Sequence, residues 1–238
     1  MGTTICIAAQ TTLGEFVTAI SAAAAYRLWA NTYDLDPNPL VALEHRVLGE
    51  YLDLTPGERM IDLATGTGRW LAFACSRGVR AIGVDRCPEM LAVAATKRGA
   101  KGHLACADIC ALPFASHSAD VAVCSFVLGY IERLDVAFRE MARVAPRIIT
   151  SDLHPKANRS GWVRSFRANG DRYEIEHYNH EWLQVEACAR MAGLRPAWTV
   201  DASFGGQERV IFERAGKADA FTGAQQVPAV LIAAWVRE

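Results

Sequence analysis

The stretch that decides the fold is Met60-Ile-Asp-Leu-Ala-Thr-Gly-Thr-Gly-Arg-Trp70, in which an apolar strand pattern runs into a glycine-rich turn. Gly66 and Gly68 permit a tight turn, and a helix is expected to begin directly after them. Such a turn lets a ligand approach the backbone N–H groups at the start of the helix. Read alone, the same stretch also fits an ordinary glycine-rich β-turn.

Short apolar runs alternate with helical stretches on both sides of this turn, which is typical of βαβ units. The predicted strands lie at 59–63, 80–84, 103–107, 121–125, 147–152, about 194–200 and 229–236. The predicted helices lie at about 69–77, 88–98, 133–144 and 181–192. The segment 201–227 is ambiguous, with a short element at 209–213 as one interpretation. The sequence therefore predicts an α/β fold with a doubly wound, mainly parallel sheet and helices on both faces.

Two helices are expected ahead of this sheet. The first is predicted from a capping box, Thr12-Leu-Gly-Glu15, through about Trp29. A loop follows at 31–39, and the second helix spans about 40–51. Beyond the fifth strand, residues 154–180 show no clear periodicity and contain many rings and arginines.

Composition narrows the classes of partner. The formal net charge of −1 and the lack of a Lys/Arg-rich run argue against nucleic acid and against an anionic membrane. No apolar stretch approaches the ~20 residues that span a bilayer. The seven cysteines form no CxxC pair, and an odd number fits a disulfide framework poorly, so a reduced, cytoplasmic protein is expected.

Acidic residues follow the next two predicted strands. Asp85 ends the second strand, where a carboxylate can accept hydrogen bonds from both ribose hydroxyls, and Asp108 ends the third. Leu71 stands where the dinucleotide fingerprint requires a small residue, which weakens an NAD interpretation, and no GK[ST] follows the turn. Three ligand-type strand ends in succession indicate a nucleotide-like ligand at the carboxyl edge of the sheet.

Together these motifs resemble the class I S-adenosylmethionine-dependent methyltransferases, specifically the methyltransferase type 11 group. The matching stretch runs from about Leu54 to Asp152. Its motifs are Asp62-x-Ala-Thr-Gly-Thr-Gly68, Gly83-Val-Asp85, Pro88-Glu-Met-Leu91, Ala107-Asp-Ile-x-x-Leu-Pro-Phe114, Ala119-Asp-Val121, Ser125-Phe-Val-Leu-Gly-Tyr130 and Phe138-Arg-Glu-Met-Ala-Arg-Val144. The resemblance implies a seven-stranded Rossmann-like sheet whose last strand is antiparallel.

The resemblance also implies a cofactor, S-adenosyl-L-methionine, and its product S-adenosyl-L-homocysteine. Ala64, Thr65 and Gly66 would line the methionine moiety, and Asp85 would hold the ribose. The cofactor-binding set expected on this basis is Ala64, Thr65, Gly66, Gly68, Asp85, Arg86, Met90, Asp108, Ile109 and Ser125. Two departures stand out: Ala64 replaces the first glycine of the family's first motif, and Ala145-Pro146 replaces a Pro-Gly-Gly turn.

The acceptor of the methyl group is expected to bind near the chain's aromatic segments. His154 follows the fifth strand, and an imidazole suits a general base at neutral pH, although a loop histidine before proline is also an ordinary turn residue. The expected substrate-binding set is Tyr26, Trp29, Tyr33, Tyr130, His154, Phe166 and Tyr178. Residues 162–182 would arch over the site as a lid, or form an ordinary surface loop. A metal triad of His154, His177 and His180 lacks supporting ligands, and no metal is expected.

The sequence therefore predicts a single methyltransferase domain over 1–238. Its parts are an N-terminal cap at 1–53, a cofactor-binding core at 54–152, a lid-like insertion at 153–182 and the C-terminal part of the sheet at 183–238. The predicted activity is methyl transfer to O, N or C of a small aromatic or apolar metabolite. The alternative is a non-catalytic regulatory protein that binds the cofactor, and a homodimer stays open.

Overall fold

The computed structural model describes residues 17–35, 37–100 and 102–238. Its main sheet has seven strands in the spatial order β4-β3-β2-β5-β6-β10-β9. These strands are β2 (Arg59–Leu63), β3 (Arg80–Asp85), β4 (Leu104–Cys106), β5 (Val121–Ser125), β6 (Arg147–Leu153), β9 (Leu194–Ala202) and β10 (Val230–Arg237). β10 runs antiparallel to both of its neighbours, whereas the pairs among β2 to β6 are parallel. The doubly wound sheet with one antiparallel strand is confirmed.

Helices cover both faces of this sheet, because its central strands are buried on both sides. One face packs against α2 (Pro39–Tyr51), α3 (Arg69–Ser76), α8 (Gly206–Arg214) and α9 (Ala218–Ala224). The other face packs against α5 (Leu134–Val144) and α7 (Trp182–Met191). In β2, Met60 belongs to the first core and Ile61 to the second, as the alternation of side chains along a strand requires.

A second, three-stranded sheet lies apart from the main one. It occupies residues where the sequence predicted a helix, near 17–20, and no clear periodicity, within 154–180. Its order is β1-β8-β7, where β1 is Val17–Ile20, β7 is Ser165–Ala168 and β8 is Asp171–Ile175. Residues 17–20 are thus a strand, while the capping box at 12–15 lies outside the described residues. The helix α1 (Ala22–Trp29) begins instead after Ser21, whose side chain accepts a hydrogen bond from the Ala24 N–H.

The segment that was predicted as a lid-like insertion contains a β-hairpin, and this hairpin pairs with the strand β1. Asn169 and Gly170 form its two-residue turn and both have positive φ, at 54° and 92°, as a type I′ turn requires. β8 pairs in parallel with β1 along four residues. We use the name cap for β1, α1 and the 3₁₀ turn Ala30–Thr32 with residues 33–35 after it, together with the hairpin β7–β8 and residues 176–178 after it.

Other boundaries differ from expectation by local amounts. The predicted helix at 88–98 ends early, as α4 (Pro88–Ala94), and the ambiguous segment 201–227 contains α8 and α9. A short helix, α6 (Pro155–Arg159), follows β6 directly. Within the ranges that the structure describes, no helix combines the length and the apolar character needed to cross a membrane.

Candidate functional site

A cavity of about 770 Å³ opens at the carboxyl edge of the parallel strands, between the main sheet and the cap. Ligand pockets in proteins typically measure about 300–1,000 Å³, so this one lies at the large end. The core contributes the ends of β2, β3 and β5, and the cap contributes α1 and the residues that follow β8. The parallel topology therefore places the glycine turn, the strand-end acids and the tyrosines of the cap around one space.

The glycine turn is built around a buried carboxylate, Asp62, at the end of β2. Its Oδ2 accepts hydrogen bonds from Thr65 Oγ1 at 2.6 Å and from the Leu71 N–H at 2.9 Å, which fixes the turn and the first residues of α3. Burial raises the pKa of Asp62 to about 7, against the opposing effects of these hydrogen bonds and of Arg69. Ala64 has a φ of 53°, a left-handed conformation that costs a residue with a Cβ atom about 1–2 kcal/mol.

Gly68 does not line the cavity, which corrects its assignment to the cofactor-binding set. A Cβ atom there would lie 3.1 Å from the Cβ of Ala94 in α4, and its φ is 81°. Gly68 therefore lets α3 begin in close contact with α4.

The other expected cofactor residues meet at this cavity. Its lining includes Ala64, Thr65, Gly66, Asp85, Arg86, Met90, Asp108, Ile109 and Ser125. The Asp85 carboxylate accepts the N–H groups of Gly66 and Cys87, each at 2.8 Å, and burial raises its pKa. Asp108 is solvent-exposed and accepts the Cys110 N–H at 2.8 Å. One rim of the cavity thus presents two carboxylates beside the apolar side chains of Met90 and Ile109.

A buried acid that was not predicted from the sequence, Glu44 of α2, lies beneath the cavity and is fully inaccessible to solvent. Its Oε2 lies 2.6 Å from Nη1 of Arg69, and its Oε1 accepts from Trp70 Nε1, Ser125 Oγ and Ser151 Oγ. Arg69 also donates to Ser125 Oγ at 3.2 Å, so a neutralised ion pair holds two cavity side chains in place. The available signal was an acid on the apolar face of α2, alongside Leu40, Leu43 and Leu48.

Tyrosines form the wall of the cavity opposite the strand ends: Tyr26 and Tyr33 come from the cap side, and Tyr130 comes from the turn Leu128–Tyr130 after β5. Tyr26 Oη donates to Tyr130 Oη at 3.1 Å, and Tyr33 packs against Tyr26 with ring centroids 6.2 Å apart. Burial raises the pKa of Tyr33 to about 12 and that of Tyr26 well above its ordinary value. At neutral pH these phenols are protonated, so they offer hydrogen-bond donors to a ligand and cannot remove a proton from it.

Two aromatic residues of the predicted substrate set, Trp29 and Phe166, do not line the cavity. Their rings stack on each other with centroids 4.7 Å apart, and both are buried in the small core of the cap. They support Tyr26 and Tyr33 from behind, because the amphipathic helix α1 and the hairpin need an apolar interior of their own.

A polar contact joins the cap to the glycine turn. Asp34 accepts a hydrogen bond from Thr67 Oγ1 at 2.9 Å and lies 2.8 Å from Nζ of Lys97, which also donates to Thr67 Oγ1 at 3.1 Å. This contact holds the segment after the 3₁₀ turn against the loop that the cofactor would touch.

His154, which was predicted as a general base from its position after β6, has its ring outside the cavity. Its Nδ1 accepts the Lys156 N–H at 3.0 Å and so caps α6, while its Nε2 lies 3.2 Å from Asp201 Oδ1. Burial lowers its pKa, although the hydrogen bond that Nε2 donates to Asp201 acts in the opposite direction. Both ring nitrogens are occupied by structural partners.

The segment after the hairpin supplies His177 and Tyr178 to the cavity. Two arginines of this region form ion pairs within the protein. Arg164 pairs with Asp152, and the buried Arg172 pairs with Glu174. A smaller cavity of about 40 Å³ lies behind, and His177 and Tyr178 line both. No group of three His, Cys, Asp or Glu side chains suited to a metal occurs among the residues described.

The part of the chain that carries the glycine turn and the strand-end acids is similar to known methyltransferases. Residues 61–147 match the family model of the methyltransferase domain. Demethylmenaquinone methyltransferase of Thermobifida fusca (strain YX) is 30% identical over 143 residues, 51% of this chain and 61% of that protein. The 2-phytyl-1,4-naphthoquinone methyltransferase of Synechocystis sp. is 32% identical over 117 residues, 44% of this chain and 49% of that protein. The chain thus spans less than two thirds of either relative.

Solved structures show the same fold at low identity. An S-adenosylmethionine-dependent methyltransferase from Mesorhizobium loti gives a TM-score of 0.64 at 19% identity, over 84% of this chain and 100% of that one. Geranyl diphosphate C-methyltransferase from Streptomyces coelicolor, solved with S-adenosyl-L-homocysteine, gives 0.60 at 15% identity over 84% and 82%. Residues 61–147 thus match the methyltransferase domain, and most of the chain shares the fold of solved S-adenosylmethionine-dependent methyltransferases.

Proposed function

We propose that this protein transfers a methyl group from S-adenosylmethionine to O, N or C of a small acceptor with an aromatic or apolar body. The observation that carries the proposal is one continuous cavity with two chemically distinct walls. The core wall has carboxylates and backbone N–H groups at the strand ends, and the opposite wall has the rings of Tyr26 and Tyr33 from the cap side and of Tyr130 from the turn after β5. A cofactor on the first wall would present its sulfonium toward an acceptor on the second.

The residues on the core wall fit the three parts of the cofactor. Asp85, held at the end of β3, would accept hydrogen bonds from the ribose hydroxyls. Asp108 would accept from the adenine amino group while Met90 and Ile109 pack on the ring, and Arg86 lies at the exposed rim. Ala64, Thr65, Gly66 and Ser125 would surround the methionine moiety, and Arg69 lies beside Ser125.

Methyl transfer from a sulfonium is an in-line displacement, for which the cofactor supplies the activated methyl group. The protein's part is to align the acceptor and exclude water. The tyrosine wall serves both purposes, because it is apolar over its rings and carries hydroxyl donors at their ends. The names of the two curated relatives give quinones as their acceptors, which supports an acceptor with a planar ring here.

The proposal is tested by incubating the protein with S-adenosylmethionine labelled on its methyl group and the small-molecule fraction of a cell extract. Mass spectrometry should find a labelled product that is absent without protein. Binding of S-adenosylhomocysteine without any transfer would instead support a regulatory binding protein. Thermal stabilisation by NAD but not by S-adenosylhomocysteine would contradict the proposal altogether.

The assignment of the ribose site has its own test. Asp85→Asn should weaken S-adenosylhomocysteine binding by roughly 1.5–3 kcal/mol, the scale of a hydrogen bond to a charged group. Asp120→Asn is the matched control, because Asp120 pairs with Arg59 outside the cavity and should leave the affinity unchanged. Isothermal titration measures both, and equal affinities for the two variants would contradict the ribose assignment.

A further inference from the structure

Of the described residues that line the main cavity, His177 is the one histidine. It follows β8, outside the stretch that matches the family model, and it lies where the large cavity meets the small one behind it. Its side chain is half-buried. A neutral imidazole has a ring nitrogen that can accept a proton, which the protonated phenols of Tyr26 and Tyr33 cannot do.

The backbone on each side of His177 is anchored. The Glu176 N–H donates to the carbonyl of Ile20 in β1 at 2.9 Å, and the Tyr178 N–H donates to the carbonyl of Gly129 at 2.8 Å. One anchor belongs to the cap and the other to the turn that follows β5. The histidine is therefore held at a defined position between the two walls of the cavity, as a catalytic side chain must be.

The ring of His177 is also fixed, in a way that determines its tautomer. Its Nδ1 lies 3.1 Å from the carbonyl oxygen of Ile175, and a carbonyl only accepts hydrogen bonds. Nδ1 therefore carries the hydrogen in the neutral ring, which leaves the lone pair on Nε2. Among the described residues, Nε2 has no hydrogen-bond partner, whereas both ring nitrogens of His154 are occupied.

Other ionisable groups of the cavity are less suited to take a proton from an acceptor. Asp62 and Asp85 accept backbone N–H groups at the glycine turn, on the cofactor wall. Tyr26 and Tyr33 stay protonated because burial raises their pKa values. Glu132 and Glu176 are exposed to solvent and are not enclosed with the acceptor.

The charges that face the His177 segment come from three elements. Arg133 accompanies Glu132 in the loop after the 3₁₀ turn Leu128–Tyr130, and Asp152 of β6 pairs with Arg164 ahead of β7. Glu176 precedes His177, and the other titratable side chains nearby are those of Tyr130, Tyr178 and His180. Asp152 is matched by Arg164, whereas Arg133 pairs with Asp135 of α5 and not with Glu132.

We propose that His177 is the general base of the methyl transfer and that the acceptor is a hydroxyl compound of the phenol or enol type. This inference rests on the proposed function. The acceptor oxygen forms a bond to the methyl carbon as the carbon–sulfur bond of the sulfonium breaks, and the hydroxyl proton passes to Nε2. The products are a methyl ether, S-adenosylhomocysteine and an imidazolium, which returns its proton to water.

The test uses the full chain with labelled S-adenosylmethionine and the same small-molecule extract. His177→Asn keeps a side-chain N–H that can donate to the Ile175 carbonyl but removes Nε2. His177→Gln places its side-chain amide near the position that Nε2 occupies in the unaltered protein. Both should lower kcat by about 10²–10⁴-fold, the usual effect of losing a general base. Both should also lose the acid limb of the pH–rate profile, with S-adenosylhomocysteine affinity unchanged. His180→Gln is the matched control, because His180 hydrogen-bonds the Ile131 carbonyl, and its kcat should stay unchanged.

The outcomes separate this inference from the function on which it rests. No labelled product with the unaltered protein would overturn both. Product formed equally by the unaltered protein and by His177→Asn, or a retained acid limb in both variants, would overturn the base and leave the methyltransferase intact. A labelled product that is an N-methyl or C-methyl compound would overturn the acceptor class.

Discussion

At the scale of single residues, Asp62 shows how burial and hydrogen bonding oppose each other at a ligand-binding turn. Its raised pKa, about 7, means that the folded protein binds a proton more tightly than the unfolded chain. This group therefore lowers the stability of the fold as pH rises from about 4 to 7. Its two hydrogen bonds define the turn, which explains why an acid occupies a costly position.

Asp62→Asn should therefore change the pH dependence of stability. The amide can still accept the Leu71 N–H and meet Thr65 Oγ1, but it does not titrate. The free energy of unfolding of the variant, relative to the unaltered protein, should rise between pH 5 and pH 8 by on the order of a few kcal/mol. Urea unfolding at the two pH values measures this, and a pH-independent difference would show that Asp62 does not titrate in this range.

The residues that line the cavity at the strand ends could be predicted because they depend on local order. Asp85 and Asp108 each end a parallel strand, and parallel strands bring their carboxyl ends to one edge. Glu44 could not be assigned, because its partners come from α3, β5 and β6. The surroundings of His154 could not be predicted for the same reason: its partner Asp201 lies 47 residues away in sequence.

At the scale of elements, the hairpin β7–β8 marks where sequence periodicity failed. Its strands have four and five residues, too short to show alternation, and its third strand is β1 from the other end of the chain. The Asn169-Gly170 dipeptide was nevertheless a strong local signal of a two-residue hairpin turn. The predicted helix through residues 17–20 failed likewise, because the partner that makes these residues a strand is distant.

The helix α6 allows the revised role of His154 to be tested. His154→Ala should lower the free energy of unfolding by about 0.5–2 kcal/mol, because the N-cap hydrogen bond to Lys156 is lost. His154→Asn should lose less, since asparagine is itself a good N-cap residue. Both should keep the turnover of the unaltered protein. Thermal unfolding and the labelled-methyl assay give the two readouts, and a large loss of turnover in both variants would restore His154 as a catalytic residue.

At the scale of the whole molecule, the cavity is shared by two parts of the fold that have separate hydrophobic cores. The cap has its own core around Trp29 and Phe166, and the main sheet has one on each face. A ligand that contacts both walls must stabilise both parts, because it binds the assembled cavity and not the opened one. The contact of Asp34 with Lys97 and Thr67 adds a direct connection between the cap and the glycine turn.

Hydrogen exchange should therefore show that the cofactor product couples the cap to the core. Saturating S-adenosylhomocysteine should slow exchange at residues 64–67 of the glycine turn and also at residues 17–33 and 171–178. Lys97→Met removes one side of the contact, a partly exposed ion pair worth roughly 0–1 kcal/mol. It should thus reduce protection of residues 17–33 while protection of the turn persists. Arg59→Met is the control, because Arg59 forms an exposed ion pair with Asp120 at the start of β2, away from the cavity and the cap. Protection confined to the glycine turn in the unaltered protein would mean that the cap does not close on the cofactor.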